Sequence, residues 1–238
     1  DIHGGGSDLR FPHHENEVAQ SECGNGCTFA NTWMHSGMVQ VDAEKMSKSL
    51  NNFFTIKEVL KKYSPEVVRY FLISGQYRSE INYSEENLQN AEAALSKLYG
   101  ALRHVEVGDA FPEGVAFIEQ FKAAMNNDFN TPEALSVLFA VAKELNRIKA
   151  MDALLAGKYA KLLIEFGEVL GILQSNPEDY FKEDMGEEAQ KIEALIEKRS
   201  IAKQSKDWAT ADAVRDELNI MGIVLEDTTN GTVWKKEK

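Results

Sequence analysis

The residues best suited to chemistry fall in the first fifty positions. Lys45-Met46-Ser47-Lys48-Ser49 sets two ammonium groups three residues apart on a loop that also carries two hydroxyls. Such a set can grip a polyphosphate, and it acts most strongly as negative charge builds on a departing pyrophosphate. Upstream, in Asp1-Ile2-His3-Gly4-Gly5-Gly6-Ser7-Asp8-Leu9, consecutive glycines let the backbone approach a bound ligand closely. Asp8, just after them, can accept hydrogen bonds from ribose hydroxyls. Phe11-Pro12-His13-His14-Glu15-Asn16-Glu17 then opens a helix, with His13 and Glu17 four apart on one face. That spacing suits two ligands of one zinc ion, and equally a surface ion pair. His3 and His14 line a pocket or serve packing, and packing is the simpler reading for His14. Cys23 and Cys27 flank a Gly-Asn-Gly loop and read as surface cysteines, or as completing a local His, Glu, Cys, Cys set.

A second group lies near the end of the chain. Trp208 precedes Asp212, Arg215 and Asp216 at helical spacing, and Asp227 and Trp234 belong to a hairpin. On residue type alone both tryptophans read first as core. An exposed tryptophan could instead stack an unpaired base while Asp or Arg reads base edges.

The elements that must hold these groups are legible by pattern. Residues 1–83 mix glycine turns, short apolar runs such as Gly37-Met38-Val39-Gln40-Val41, and two helical stretches at 55–63 and 66–74. Ser64 caps the second stretch and Pro65 takes its first helical position. The region reads as the end of an α/β domain with a small mixed appendage. Over 84–175 helical periodicity dominates. Ser84 caps a helix whose Leu88, Ala91, Leu95, Leu98 and Leu102 share a face. Asn130-Thr131-Pro132-Glu133 starts another, leading into Leu135, Leu138, Phe139, Ala142 and Leu145. A third apolar series runs from Leu155 through Leu162, Leu163, Phe166 and Leu170 to Gly171. An antiparallel helical bundle follows. Residues 176–188 are polar and acidic and read as a linker. The remainder, 189–238, reads as two helices and a hairpin turning at Asn230-Gly231. The fold class expected is mostly α with an α/β part.

Composition narrows the function. The 238 residues, 43% hydrophobic, can bury one large core or several small ones, and no apolar run reaches bilayer length. A net charge of -12 argues against wholesale wrapping of nucleic acid but leaves room for a local basic face. Two cysteines are too few for a disulfide framework and fit a reducing, cytoplasmic setting. The chain enters directly into a motif without an initiator Met, which reads as a fragment whose first half lies outside it.

Taken together, 1–17, Thr32-Trp33-Met34-His35-Ser36-Gly37-Met38-Val39, the KMSKS pentapeptide, the segment from Val67 to Ser84, Asp128-Phe129-Asn130-Thr131-Pro132 and Lys206-Asp207-Trp208 resemble cysteinyl-tRNA synthetase, a class I aminoacyl-tRNA synthetase family. The resemblance implies the end of a Rossmann-type catalytic domain with its stem-contact region over 1–83 and a DALR-type tRNA-binding bundle over 84–175. It implies a small α+β anticodon-binding module over 189–238. It also implies ATP-dependent activation of L-cysteine, with Mg2+, and transfer of the cysteine to tRNA(Cys) by a monomer. Lys48 would contact ATP, supported by Lys45, Ser47 and Ser49, while Gly4, Gly5, Gly6 and Asp8 face the adenosine and His3 the amino acid. One zinc ion per active site would be held by His13 and Glu17 together with two cysteines upstream. A soft metal ligand of this kind separates cysteine from serine, which apolar packing discriminates weakly. Lys203, Trp208, Asp212 and Asp227 would contact the anticodon. Two other readings stand beside this one: a related ligase joining cysteine to an amino sugar, which has no use for an anticodon reader, and a non-catalytic tRNA-binding segment.

Overall fold

The computed structural model describes residues 1–41, 44–45, 55–114, 116–183, 186–205, 207–228 and 231–236, with the backbone alone at 44–45, 182–183, 186–190, 193, 204, 226–228 and 231–236. Ser47, Lys48 and Ser49 lie outside these residues, as do the side chains of Lys45, Asp227 and Trp234. The chain divides into two compact units, Asp1–Gln174 and Ser175–Lys238.

The first unit begins with β1 (Ile2–Gly6), a single 3-10 turn at Ser7–Leu9, an irregular turn at Arg10–His14 and helix α1 (Glu15–Asn25). β1 pairs in parallel with β2 (Thr32–Ser36), so His3 faces Trp33 and Gly5 faces His35 in register. Next come β3 (Val39–Val41) and β4 (Glu44–Lys45), then α2 (Ile56–Val59), α3 (Pro65–Ile73) and β5 (Ile81–Tyr83). β3 is the middle strand of a three-stranded sheet, antiparallel to β4 and parallel to β5. α2 is shorter than the stretch expected at 55–63. Its start is fixed by a capping box in which the Thr55 hydroxyl accepts from the Glu58 amide and the Glu58 carboxylate accepts from the Thr55 amide.

The bundle comprises α4 (Glu85–Leu102), α5 (Phe117–Asn126), α6 (Thr131–Ile148) and α7 (Ala153–Leu170). Side-chain caps from Ser84, Asn130 and Asp152 open α4, α6 and α7, and Gly171, at φ 70°, closes α7 in the left-handed conformation that glycine adopts without strain. Leu88, Leu95 and Leu98 of α4, Leu138 and Leu145 of α6 and Leu162 and Leu163 of α7 are fully buried. Each such side chain contributes on the order of 1.5–3 kcal/mol through removal from water. α5 is an addition to the helices expected; its Phe121 stacks on Phe166 of α7 with ring centroids 4.3 Å apart. The hydroxyl of buried Tyr99 in α4 donates to the carboxylate of Glu66 in α3, which also accepts from the Leu173 and Gln174 amides. That one carboxylate ties α3, α4 and the end of α7 together.

The second unit holds α8 (Pro177–Glu183), α9 (Gly186–Gln204), α10 (Trp208–Ile220) and the hairpin β6 (Ile223–Thr228) with β7 (Gly231–Lys236). Ile192, Val214, Leu218 and Ile223 form its core. Residues 176–188, read as a linker from their polarity, contain α8 and the start of α9. Among the described residues no helix is long and apolar enough to cross a membrane.

Candidate functional site

The parallel pairing of β1 and β2 brings His3 and His35 to one place, because alternate residues of a strand share a face. Trp33 and His35, two apart on β2, stack at 6.0 Å and 7°. His3 from β1 lies 4.9 Å from the Trp33 ring and 4.9 Å from Phe29. The turn before α1 delivers His14, which is buried, with Nδ1 3.0 Å from His35 Nε2. One of these two nitrogens carries the shared proton. Burial is the first cause holding the His35 imidazole below its ordinary pKa, and the electrostatic influence of Arg10, His14, Arg78 and His3 adds to it.

Glu17, on the first turn of α1, reaches back to this group. Its Oε1 lies 3.4 Å from His13 Nε2 and its Oε2 3.0 Å from His3 Nε2. Oε2 is nevertheless buried without a partner in hydrogen-bond geometry, so the contact with His3 is an ion-pair distance and nothing more. His3, His14 and Glu17 each offer a ligand atom, and these atoms all lie within 4.8 Å of one another. Two imidazole nitrogens and a carboxylate oxygen, one oxygen of it unsatisfied, make a donor set that suits zinc. His13 and Glu17, the pair read from spacing, do meet, at 3.4 Å, but His13 is outside this trio, whose two imidazoles come from His3 and His14, which spacing could not assign. His13 itself is the most exposed of the ring, with 59% of its side chain open. Cys23 and Cys27 are exposed free thiols outside the trio.

The glycine run is explained in part by the protein itself. A Cβ on Gly5 would stand 2.8 Å from His14 Nε2, and one on Gly6 would clash with the Asp8 carboxylate, which folds back over it. Gly5 therefore admits the imidazole, while Gly4 has ordinary space around it. Asp8 is exposed beside the run.

In the second unit Trp208 opens α10 with 61% of its surface exposed, which corrects the core reading made from its type. Asp207 caps the helix, accepting from the Thr210 hydroxyl at 2.7 Å and amide at 3.2 Å, and these bonds lower its pKa. Asp212 follows one turn later, exposed and 3.6 Å from Arg215. Lys203 is half-buried near the end of α9, and Asp227 contributes only its place on β6.

Comparison with known proteins gives the following. The family of tRNA synthetases class I (C) catalytic domains matches residues 1–93, the DALR domain matches 120–174, and the cysteinyl-tRNA ligase anticodon binding domain matches 185–234. A cysteine–tRNA ligase of Francisella tularensis subsp. mediasiatica (strain FSC147) is 59% identical over 238 residues, covering 99% of this chain and 52% of that protein. The cysteine–tRNA ligase of F. tularensis subsp. novicida (strain U112) is likewise 59% identical over 99% of this chain. The chain spans about half the length of these relatives, 52% in both cases. Among solved structures, the LeuRS of Agrobacterium radiobacter K84, in a ternary complex with tRNA and LeuAMS, superposes with a TM-score of 0.59 at 17% identity, covering 76% of this chain and 26% of that one. That likeness concerns the fold alone.

Proposed function

We propose that the chain belongs to the cysteinyl-tRNA synthetase family and serves the ATP-dependent joining of L-cysteine to tRNA(Cys) in the cytoplasm. The observation that carries this reading is the 59% identity extending over 99% of the chain, from the histidine cluster through the final hairpin. In the first step the cysteine carboxylate attacks the α-phosphate of ATP, the bond to the β-phosphate breaks, and pyrophosphate leaves. A ribose hydroxyl at the end of the tRNA then attacks the adenylate carbonyl and AMP departs. Both steps rely on positioning and electrostatics, with no covalent enzyme intermediate.

Within this reading Gly4, Gly5, Gly6 and Asp8 face the adenosine, and Lys45, Ser47, Lys48 and Ser49 attend the phosphates with Mg2+. His3 lines the amino-acid pocket. His13 and Glu17 would hold one zinc ion; when bound, zinc supplies a soft acceptor that prefers a thiolate to a hydroxyl. Glu17 Oε2, buried and unsatisfied, gains a partner from such an ion. Lys203, Trp208, Asp212 and Asp227 meet the anticodon, with Trp208 exposed as a stacking surface. The match of 185–234 to an anticodon-binding domain favours this reading over a ligase acting on an amino sugar. The test is cysteine-dependent exchange of pyrophosphate into ATP, and cysteine acceptance by tRNA(Cys), with the protein expressed at the length of its relatives. Exchange together with charging supports the synthetase, exchange without charging supports the amino-sugar ligase, and RNA binding without exchange supports a non-catalytic role.

A further inference from the structure

We infer that Asp128, at the turn between α5 and α6, is a positioning residue that fixes the strand ladder leading into the lysine pentapeptide; the inference rests on the synthetase reading above. Three consecutive residues of the loop that follows α3 converge on this one carboxylate. Gln76 Nε2 donates to Oδ2 at 3.4 Å and to the Asp128 carbonyl at 3.2 Å, the Tyr77 hydroxyl donates to Oδ1 at 2.9 Å, and Arg78 forks onto both carboxylate oxygens at 2.6 and 3.1 Å. The Arg78 guanidinium also lies over the Tyr77 ring, 5.0 Å from its centre. Beside it the Thr131 hydroxyl donates to the Gly75 carbonyl at 3.3 Å. Asp128 and Phe129 both hold left-handed backbone, at φ 53° and 52°, a conformation that non-glycine residues rarely adopt and that persists where surroundings over-determine it.

Stability alone is a poor reason for this arrangement. Arg78 and Asp128 are each nearly half exposed, and ion pairs so open to water contribute little. A bidentate fork supplies geometry, which a point charge does not. The loop so fixed is in turn seated on β3. The Gly37 amide donates to the Tyr77 carbonyl at 2.8 Å, and the Ile81 amide donates to the Met38 carbonyl at 3.0 Å. The backbone of Ser79 comes so near Gly37 that no Cβ fits there. Gln40 Nε2, on β3, donates to Glu80 at 2.5 Å. Gln40 is the register partner of Lys45 on β4, and Lys45 opens the pentapeptide. A continuous run of bonds therefore connects the helical bundle to the strand end from which the phosphate-gripping lysines start.

The test uses the protein at the length of its relatives and two variants, Asp128→Asn and Arg78→Lys. Pyrophosphate exchange is measured per active site, with sites titrated by adenylate formation. Each variant is expected to lower kcat about tenfold at an unchanged KM for cysteine, because misplacement on the scale of an ångström costs that much or more. The titrated fraction stays full. In the 238-residue chain itself, amide hydrogen exchange at Gly37 and Ile81 is expected to quicken in both variants. Unchanged kcat per site, or a falling titrated fraction with kcat intact, overturns the positioning role and leaves Asp128 a structural residue. Absence of exchange by the parent protein overturns the synthetase reading instead, and unchanged protection of Gly37 and Ile81 then overturns the linkage on its own.

Discussion

Helix α7 buries nine of its residues, among them Leu162, Leu163 and Phe166, whereas helix α1 buries none. The first is held by an apolar face against α6. The second is reached from β1 by the contact of His3 with Glu17, and from the preceding turn by His13 and the buried imidazole of His14. A helix with no buried face draws little stability from packing. Its value lies in the groups it presents, so substitutions in the bundle should be felt as stability and those around α1 as binding.

The largest expected effect breaks the bundle. Leu138→Ala removes a fully buried side chain and leaves a cavity between α6 and its neighbours. A loss of about 2–5 kcal/mol, read as a lower urea midpoint at unchanged slope, is expected. Next comes the one point where the site itself is tightly packed. Gly5→Ala sets a Cβ against His14 Nε2 and Cε1 at 2.8 and 2.9 Å, and the ring, being buried, has little room to yield. About 1–3 kcal/mol of destabilisation is expected, and, on the proposed zinc role of Glu17 beside His14, weaker zinc binding by equilibrium dialysis. If Gly5→Ala is neutral in both, the contrast drawn above is too sharp.

Asp128 offers a smaller, pH-dependent effect. Hydrogen bonds from Arg78 first, and then Tyr77, hold its carboxyl below the ordinary carboxylate range. A folded-state pKa below the unfolded one supplies stability above about pH 4 that is lost as the pH falls through the folded value. The gap in thermal midpoint between the parent and Asp128→Asn should thus stay constant from pH 7 to 5 and close in stronger acid, as calorimetry would show. The smallest effect on stability belongs to Trp208→Ala. The side chain is mostly in water, so the change should stay within about 0.5 kcal/mol. Affinity for an anticodon hairpin, by fluorescence anisotropy, should fall about tenfold or more through loss of base stacking.

These contrasts also show what could be read from the residues. Leu88, Leu95 and Leu98 repeat at helical spacing and are buried, and Ser64, Ser84 and Asn130 cap the helices whose starts they mark. Periodicity and capping are local, and local chemistry is legible. The His13 and Glu17 contact is local too. The approach of His3, His14 and His35 is not, since it depends on the register of two strands some thirty residues apart, and register follows from tertiary packing. Gly5 carries the signal that could have found it: a glycine opposite a histidine on a paired strand leaves space for a third ring. α8 reads as linker because its only large apolar groups, Tyr180 and Phe181, are adjacent and the rest is polar or proline, so no stripe at helical spacing betrays it.

The central claim is that a carboxylate poised among histidines serves the selection of cysteine. It is tested most directly by comparing cysteine with serine in pyrophosphate exchange, in the parent protein at the length of its relatives and in Glu17→Gln. The parent should exchange with cysteine and show no detectable exchange with serine. Glu17→Gln should lose about a hundredfold in kcat/KM for cysteine, in step with its loss of zinc. Undiminished, cysteine-selective exchange by Glu17→Gln would contradict the account.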